Sequence, residues 1–137
     1  MKVHLKRQNQ AVHFIGTNDT NNTVHIDGSP AAGGENKGVR PMQMLLMGIA
    51  GCSGIDIDMI LKKMRQPLDD LEVIVTGERE EGAIPALFTK IHLEFILTGD
   101  LKEEKVKKAI AMSMDTYCSV GKMLEKAAEI SYDYTIK

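Results

Sequence analysis

Pro41-Met42-Gln43-Met44-Leu45-Leu46-Met47-Gly48-Ile49-Ala50-Gly51-Cys52 is the most apolar stretch of the chain, and its reading decides the fold. Pro41 stands where a first helical residue belongs, because its missing N–H would have had no intrahelical acceptor there. No proline follows until Pro67, so a helix is expected from Pro41 to about Arg65. Its first half is apolar almost all round, the pattern of a helix buried on most sides. Gly48 and Gly51 fall one turn apart and leave room for another backbone to come close. Past Cys52, the residues Asp56, Asp58, Lys62, Lys63 and Arg65 turn the helix polar and should bring it to the surface.

On either side of this helix the pattern is that of strands. Upstream, Val3 and Leu5, then Val12 and Phe14, then Val24 and Ile26 mark three short strands, divided by Gln8-Asn9-Gln10 and Asn18-Asp19-Thr20-Asn21-Asn22. A stretch from Gly28 to Arg40 follows, with four Gly and one Pro, and reads as a mobile connector. Downstream, Leu71, Val73 and Val75 alternate with polar neighbours, as do Ile91, Leu93, Phe95 and Leu97. Residues 102–118 return to helical spacing, with Val106, Ala109, Ile110, Met114 and Tyr117 on one stripe. A short helix is expected around Lys122 to Ala128, and a last strand carries Ile130, Tyr132, Tyr134 and Ile136 on one face. The order βββ-α-ββ-αα-β is an α+β pattern without βαβ repetition. At 137 residues the whole chain, 1–137, reads as a single domain.

Composition removes several classes of function. Seventeen Lys and Arg against nineteen Asp and Glu give a net charge of −2, which lacks the basic surplus of a nucleic-acid binder. Six aromatic residues and no Trp leave little for a base-stacking surface. The longest nearly apolar run, Met44 to Cys52, falls far short of the ~20 residues of a membrane span. The first residues, MKVHLKRQNQ, contain no apolar signal core, and two cysteines are too few for a disulfide scaffold. A cytoplasmic protein with reduced thiols is the expectation.

Either cysteine alone reads first as a buried packing residue, but the pair, both at or beside helices that could pack together, is a candidate for thiol chemistry. Cys118 gains a possible helix N-terminus from the helix starting near Ser119, which lowers a thiol pKa. Cys52, in mid-helix, needs a cation brought from elsewhere. Asp56, one turn further on, would raise the Cys52 pKa and is expected to cap or pair away from it. His4, His13, His25 and His92 form no HxH or HExxH pair, so no metal site and no cofactor are expected.

The segment Arg40–Cys52 resembles the central-helix motif of the OsmC/Ohr family, the osmotically inducible and organic-hydroperoxide-resistance proteins. Tyr117-Cys118-Ser119-Val120 is similar to that family's CPxS segment, and the element order matches along nearly the whole chain. The resemblance implies an OsmC-like fold: antiparallel sheets around a buried central helix, in an intertwined homodimer with active sites at the interface. It implies thiol peroxidase chemistry, with Cys52 attacking the hydroperoxide and Cys118 closing a disulfide that a dithiol reductant reopens. The family's arginine pattern, Arg-x-x-x-Ala/Thr-Val, is met by Arg7-Gln8-Asn9-Gln10-Ala11-Val12, which makes Arg7 the cation for Cys52. Two positions depart. Met42 stands where peroxidase members carry the Glu that holds this arginine, and Ser119 replaces the proline after the second cysteine. Arg40 and Glu35 are the residues that would have to compensate.

Three functions are therefore expected to compete. The first is a homodimeric peroxidase that reduces organic hydroperoxides through Cys52, Cys118 and Arg7. The second is a non-catalytic dimer that binds an apolar small molecule in a Met-rich interface cleft, which Met42 and the nine Met residues favour. The third is a slow thiol redox sensor.

Overall fold

The computed structural model describes residues 1–137, and they form two compact units, Met1–Leu45 and Leu46–Lys137. In the first unit β1 (Val3–Arg7), β2 (Phe14–Asn18) and β3 (Thr23–Ile26) make an antiparallel sheet in that order. The second strand starts later than its Val12 signal suggests. Asn9 Oδ1 accepts the backbone N–H groups of Ala11 at 3.0 Å and His13 at 3.3 Å, holding that stretch in a turn. Asn18 does the same for Thr20 and Asn22, at 3.0 and 2.8 Å, and so closes the β2–β3 hairpin.

The Gly-rich stretch after β3 is not the loose connector its composition suggests. The carboxylate of Asp27, 1% exposed, accepts the N–H groups of Gly28, Glu35 and Lys37 at 2.8, 2.9 and 3.0 Å. These bonds hold the Asp27 carboxyl below its usual pKa, that of Lys37 most of all. Arg40 closes the loop from the other end. Its guanidinium donates to Gly38 O at 3.1 Å, to Asp27 O at 3.4 Å and to Asn36 Oδ1. One buried carboxylate organises ten residues of glycine-rich chain.

Helix α1 (Pro41–Lys63) begins at the end of the first unit and continues through the second. In the second unit β4 (Asp70–Arg79), β5 (Phe88–Thr98) and β6 (Glu129–Ile136) form a sheet with β5 in the middle. β4 and β5 are antiparallel, as expected, but β5 and β6 run parallel. The reason lies in the connection. α2 (Glu103–Met112), a π-helical turn (Ser113–Tyr117) and α3 (Ser119–Leu124) carry the chain back to the end where β5 began. One face of β5, with Ile91, Leu93, Phe95 and Leu97 fully buried, forms the core together with Val106, Ala109 and Ile110 of α2. From α1 the core receives Ile49, Ile57 and Leu61, and Gly54 faces Leu71 and Val73 of β4.

α1 departs from expectation in one respect. Its first half is not covered on most sides within the chain: Met47, 55% exposed, and Gly51 are open, and with Ile55 and Met59 of the half expected at the surface, at 63% and 51%, they line up every fourth residue along an open stripe. Gly48 faces Val120 of α3, whereas above Gly51 there is open space. At 23 residues α1 also has the length and hydropathy of a membrane span, which the shorter apolar run had not suggested. Ile49, Ile57, Ile60 and Leu61 are nevertheless used in the protein's own core.

Candidate thiol site

The second unit brings the two cysteines together. Cys52 lies on α1 and Cys118 caps the N-terminus of α3, and with Asp56 their ligand atoms all fall within 4.8 Å of one another. Cys52 and Asp56 share a helix face because four residues make about one turn. Cys118 is placed from the other side by the π turn, in which its N–H reaches back to Ser113 O at 2.8 Å. Such one-turn widenings re-aim the chain that follows them and recur at functional sites. Both cysteines are free thiols.

Their environments differ. Cys52 is half-buried, whereas Cys118 is completely buried. Burial pushes the Cys118 thiol up to about 11, and the nearness of Cys52 and Asp56 adds to the rise. The Gly121 N–H, donated to Cys118 Sγ at 3.3 Å, works in the opposite direction but does not overcome it. The expectation that a helix N-terminus would make Cys118 acidic is therefore reversed: the helix supplies its N–H, and desolvation outweighs it.

Asp56 does not turn away from the cysteines, as its charge suggested it would. Ser113, itself buried, shares its hydroxyl proton between Asp56 Oδ2 at 3.2 Å and the more distant Ser53 O at 3.4 Å, and so tethers the carboxylate beside both sulfurs. None of the chain's ion pairs involves Asp56. The same carboxylate lines a groove of about 340 Å³ whose walls include Met59, Met64, Met112, Tyr117 and Lys63. Sequence reasoning noticed Asp56 one turn after Cys52 but placed it away from the thiols, and it missed Ser113. The i,i+4 spacing put Asp56 on the face of Cys52, but its charge argued against its staying there, while Ser113 depends on the π turn.

Arg7 ends β1 in the first unit, paired across the sheet with Phe14 and exposed. The two residues weighed as substitutes for the missing glutamate are occupied elsewhere. Arg40 is bonded to the Asp27 loop, and Glu35 pairs with Lys37 while accepting Asn9 Nδ2 at 3.1 Å.

A family model described as "OsmC-like protein" matches residues 34–133, and the chain belongs to that family. It is 43% identical over 128 residues to protein YhfA of Escherichia coli strain K12, covering 93% of this chain and 92% of that one. A solved structure of a hypothetical protein from Aquifex aeolicus is 29% identical, covers 99% of this chain and 96% of its own, and has a TM-score of 0.82. At 16% identity, an organic hydroperoxide resistance protein OsmC from Legionella pneumophila shares the fold, with a TM-score of 0.72 over 98% of this chain and 97% of that one.

Proposed function

We propose that this protein reduces organic hydroperoxides by a two-cysteine thiol mechanism. The observation that carries the reading is the pairing of a half-buried thiol with a buried one inside a 4.8 Å cluster. A hydroperoxide can reach Cys52, while Cys118 is shielded and held protonated. Attack of the Cys52 sulfur on the outer peroxide oxygen breaks the O–O bond, leaving a sulfenic acid and releasing an alcohol. Cys118 then displaces the hydroxyl, the two sulfurs join, and water leaves. A dithiol reductant of the cytoplasm reopens the disulfide. Arg7 is the cation assigned to the Cys52 thiolate, and Met42 leaves it without the carboxylate that anchors it in peroxidase members.

The working form in this proposal is a homodimer of single-domain chains, 1–137. The open stripe of Met47, Gly51, Ile55 and Met59 supports it, since apolar helix faces of this kind are commonly covered by a second subunit. A second reading is favoured by the Met-rich groove beside Asp56: a non-catalytic dimer that holds an apolar small molecule there. One experiment separates the two. With tert-butyl hydroperoxide and dithiothreitol, the peroxidase reading expects steady-state peroxide consumption and an intramolecular Cys52–Cys118 disulfide, while Cys118→Ser traps Cys52 as sulfenic acid. Both thiols remaining unmodified after long exposure would overturn the peroxidase reading and favour the binding one.

A further inference from the structure

A carboxylate beside two thiols is electrostatically unfavourable, because it opposes ionisation of both sulfurs. Here it is nonetheless held in place: Ser113 fixes Asp56 Oδ2 at 3.2 Å, and no cation is paired with it. A positioned carboxylate that helps neither thiol to ionise can still accept a proton during reaction. We infer that Asp56 is the base that takes the Cys118 proton as that sulfur attacks the sulfur of Cys52.

The inference rests on the two-cysteine reading above and adds a residue to its second step. Cys118 is fully buried and stays a thiol at neutral pH, so it must lose its proton as it reacts. Water cannot reach it directly. Of the polar groups around it, Gly121 N–H and Ser113 Oγ are engaged as donors and Cys52 is the electrophile, which leaves the Asp56 carboxylate as the acceptor. Asp56 also lines the open groove, through which a proton can pass to solvent; Lys63 and Tyr117 are the other ionisable groups of its wall. In the balanced step the Cys118 S–H bond breaks and its proton goes to Asp56. The Cys118–Cys52 S–S bond forms and the Cys52 S–O bond breaks. The departing hydroxide collects the proton from Asp56 and leaves as water. Cys118 sulfur is oxidised and the sulfenic sulfur of Cys52 is reduced. As the proton leaves, Gly121 N–H steadies the negative charge that develops on the Cys118 sulfur and that S–S bonding then consumes.

The test uses 4,4′-dithiodipyridine, which does not depend on peroxide chemistry. The half-buried Cys52 releases a first thiopyridone, and the attack of Cys118 on the resulting mixed disulfide releases a second. Asp56→Asn should slow the second release by about 100-fold, the usual share of a positioned base. The first release should be unchanged or faster. Formate added to Asp56→Ala should restore part of the second rate. Across neutral pH the wild-type second rate should stay flat, whereas in Asp56→Asn it should climb about tenfold per pH unit as hydroxide takes over. A carboxylate acting only through its charge predicts the opposite sign, because its removal would ease ionisation of Cys118. An unchanged or faster second release in Asp56→Asn therefore overturns the inference, as does a slowed one that has the wild-type pH profile and no formate rescue. Cys52 left unoxidised by hydroperoxide would defeat the peroxidase reading alone, since the dithiodipyridine result reads Asp56 separately.

Discussion

Ile55→Lys is the sharpest probe of the proposed dimer, since Ile55 lies at the centre of the open stripe and is 63% exposed in the single chain. Burying an isoleucine side chain completely is worth about 1.5–3 kcal/mol, so covering its exposed two-thirds contributes about 1–2 kcal/mol. A two-fold interface uses the residue twice, which brings the loss to about 2–4 kcal/mol per dimer. That corresponds to a dissociation constant raised about 30-fold to several hundred-fold. A lysine ammonium left in the interface adds a desolvation cost to that figure. Sedimentation equilibrium over the micromolar range should show the wild type as a dimer and Ile55→Lys as a folded monomer or a much weaker dimer. Ile84→Lys, fully exposed in the β4–β5 loop, should change neither state. A wild type that sediments as a folded monomer, or an Ile55→Lys dimer of unchanged affinity, would refute the assignment of this stripe to self-association.

Two further outcomes concern single groups. The folded protein holds the Cys118 proton more tightly than the unfolded chain, with a thiol pKa raised from 9.0 to about 11. Stability should therefore be intact below pH 9 and fall as pH rises through that window, by about 3 kcal/mol at most, visible as a falling urea midpoint that Cys118→Ala abolishes. Asp27 has the opposite sign: its lowered pKa contributes stability above its unfolded value of 3.8 that is lost as pH falls below it. At neutral pH, Asp27→Ala should speed amide exchange at Gly28, Glu35 and Lys37 by about tenfold or more, while β5 amides stay protected. Unchanged exchange at those three amides would mean the carboxylate is not what organises the loop.

The parts of this protein legible in its sequence are those governed by periodicity. Ile91, Leu93, Phe95 and Leu97 alternate, are all buried and line one face of β5, because a strand's period of two is fixed by the backbone. Pro41 opens α1 where its missing N–H suggests, and the helix ends at Lys63, short of Pro67. What was not legible depends on one side chain completing what a distant segment begins. The Gly28–Arg40 stretch has a loop's composition, yet its order comes from Asp27, whose partners Glu35 and Lys37 lie eight and ten residues away. His13 and His25 show no metal spacing in sequence, but the β2–β3 ladder brings Nε2 and Nδ1 to 2.8 Å with the rings stacked.

The candidate site divides along the same line. Cys52 was found through the helix motif and Cys118 through its segment. Their nearness could not be read from spacing, because it depends on a π turn that no residue pattern announces. Asp56 was set aside because a lone carboxylate should avoid thiols. That rule is sound for a thiol that must ionise at rest. It fails for one that burial keeps protonated until the moment of attack, where an acceptor close by is what the reaction lacks. Ser113 is what brings Asp56 into the second case: its buried hydroxyl, shared between Asp56 Oδ2 at 3.2 Å and Ser53 O at 3.4 Å, keeps an acceptor beside the two sulfurs, and the pH profile of Asp56→Asn tells a base from a mere structural tie.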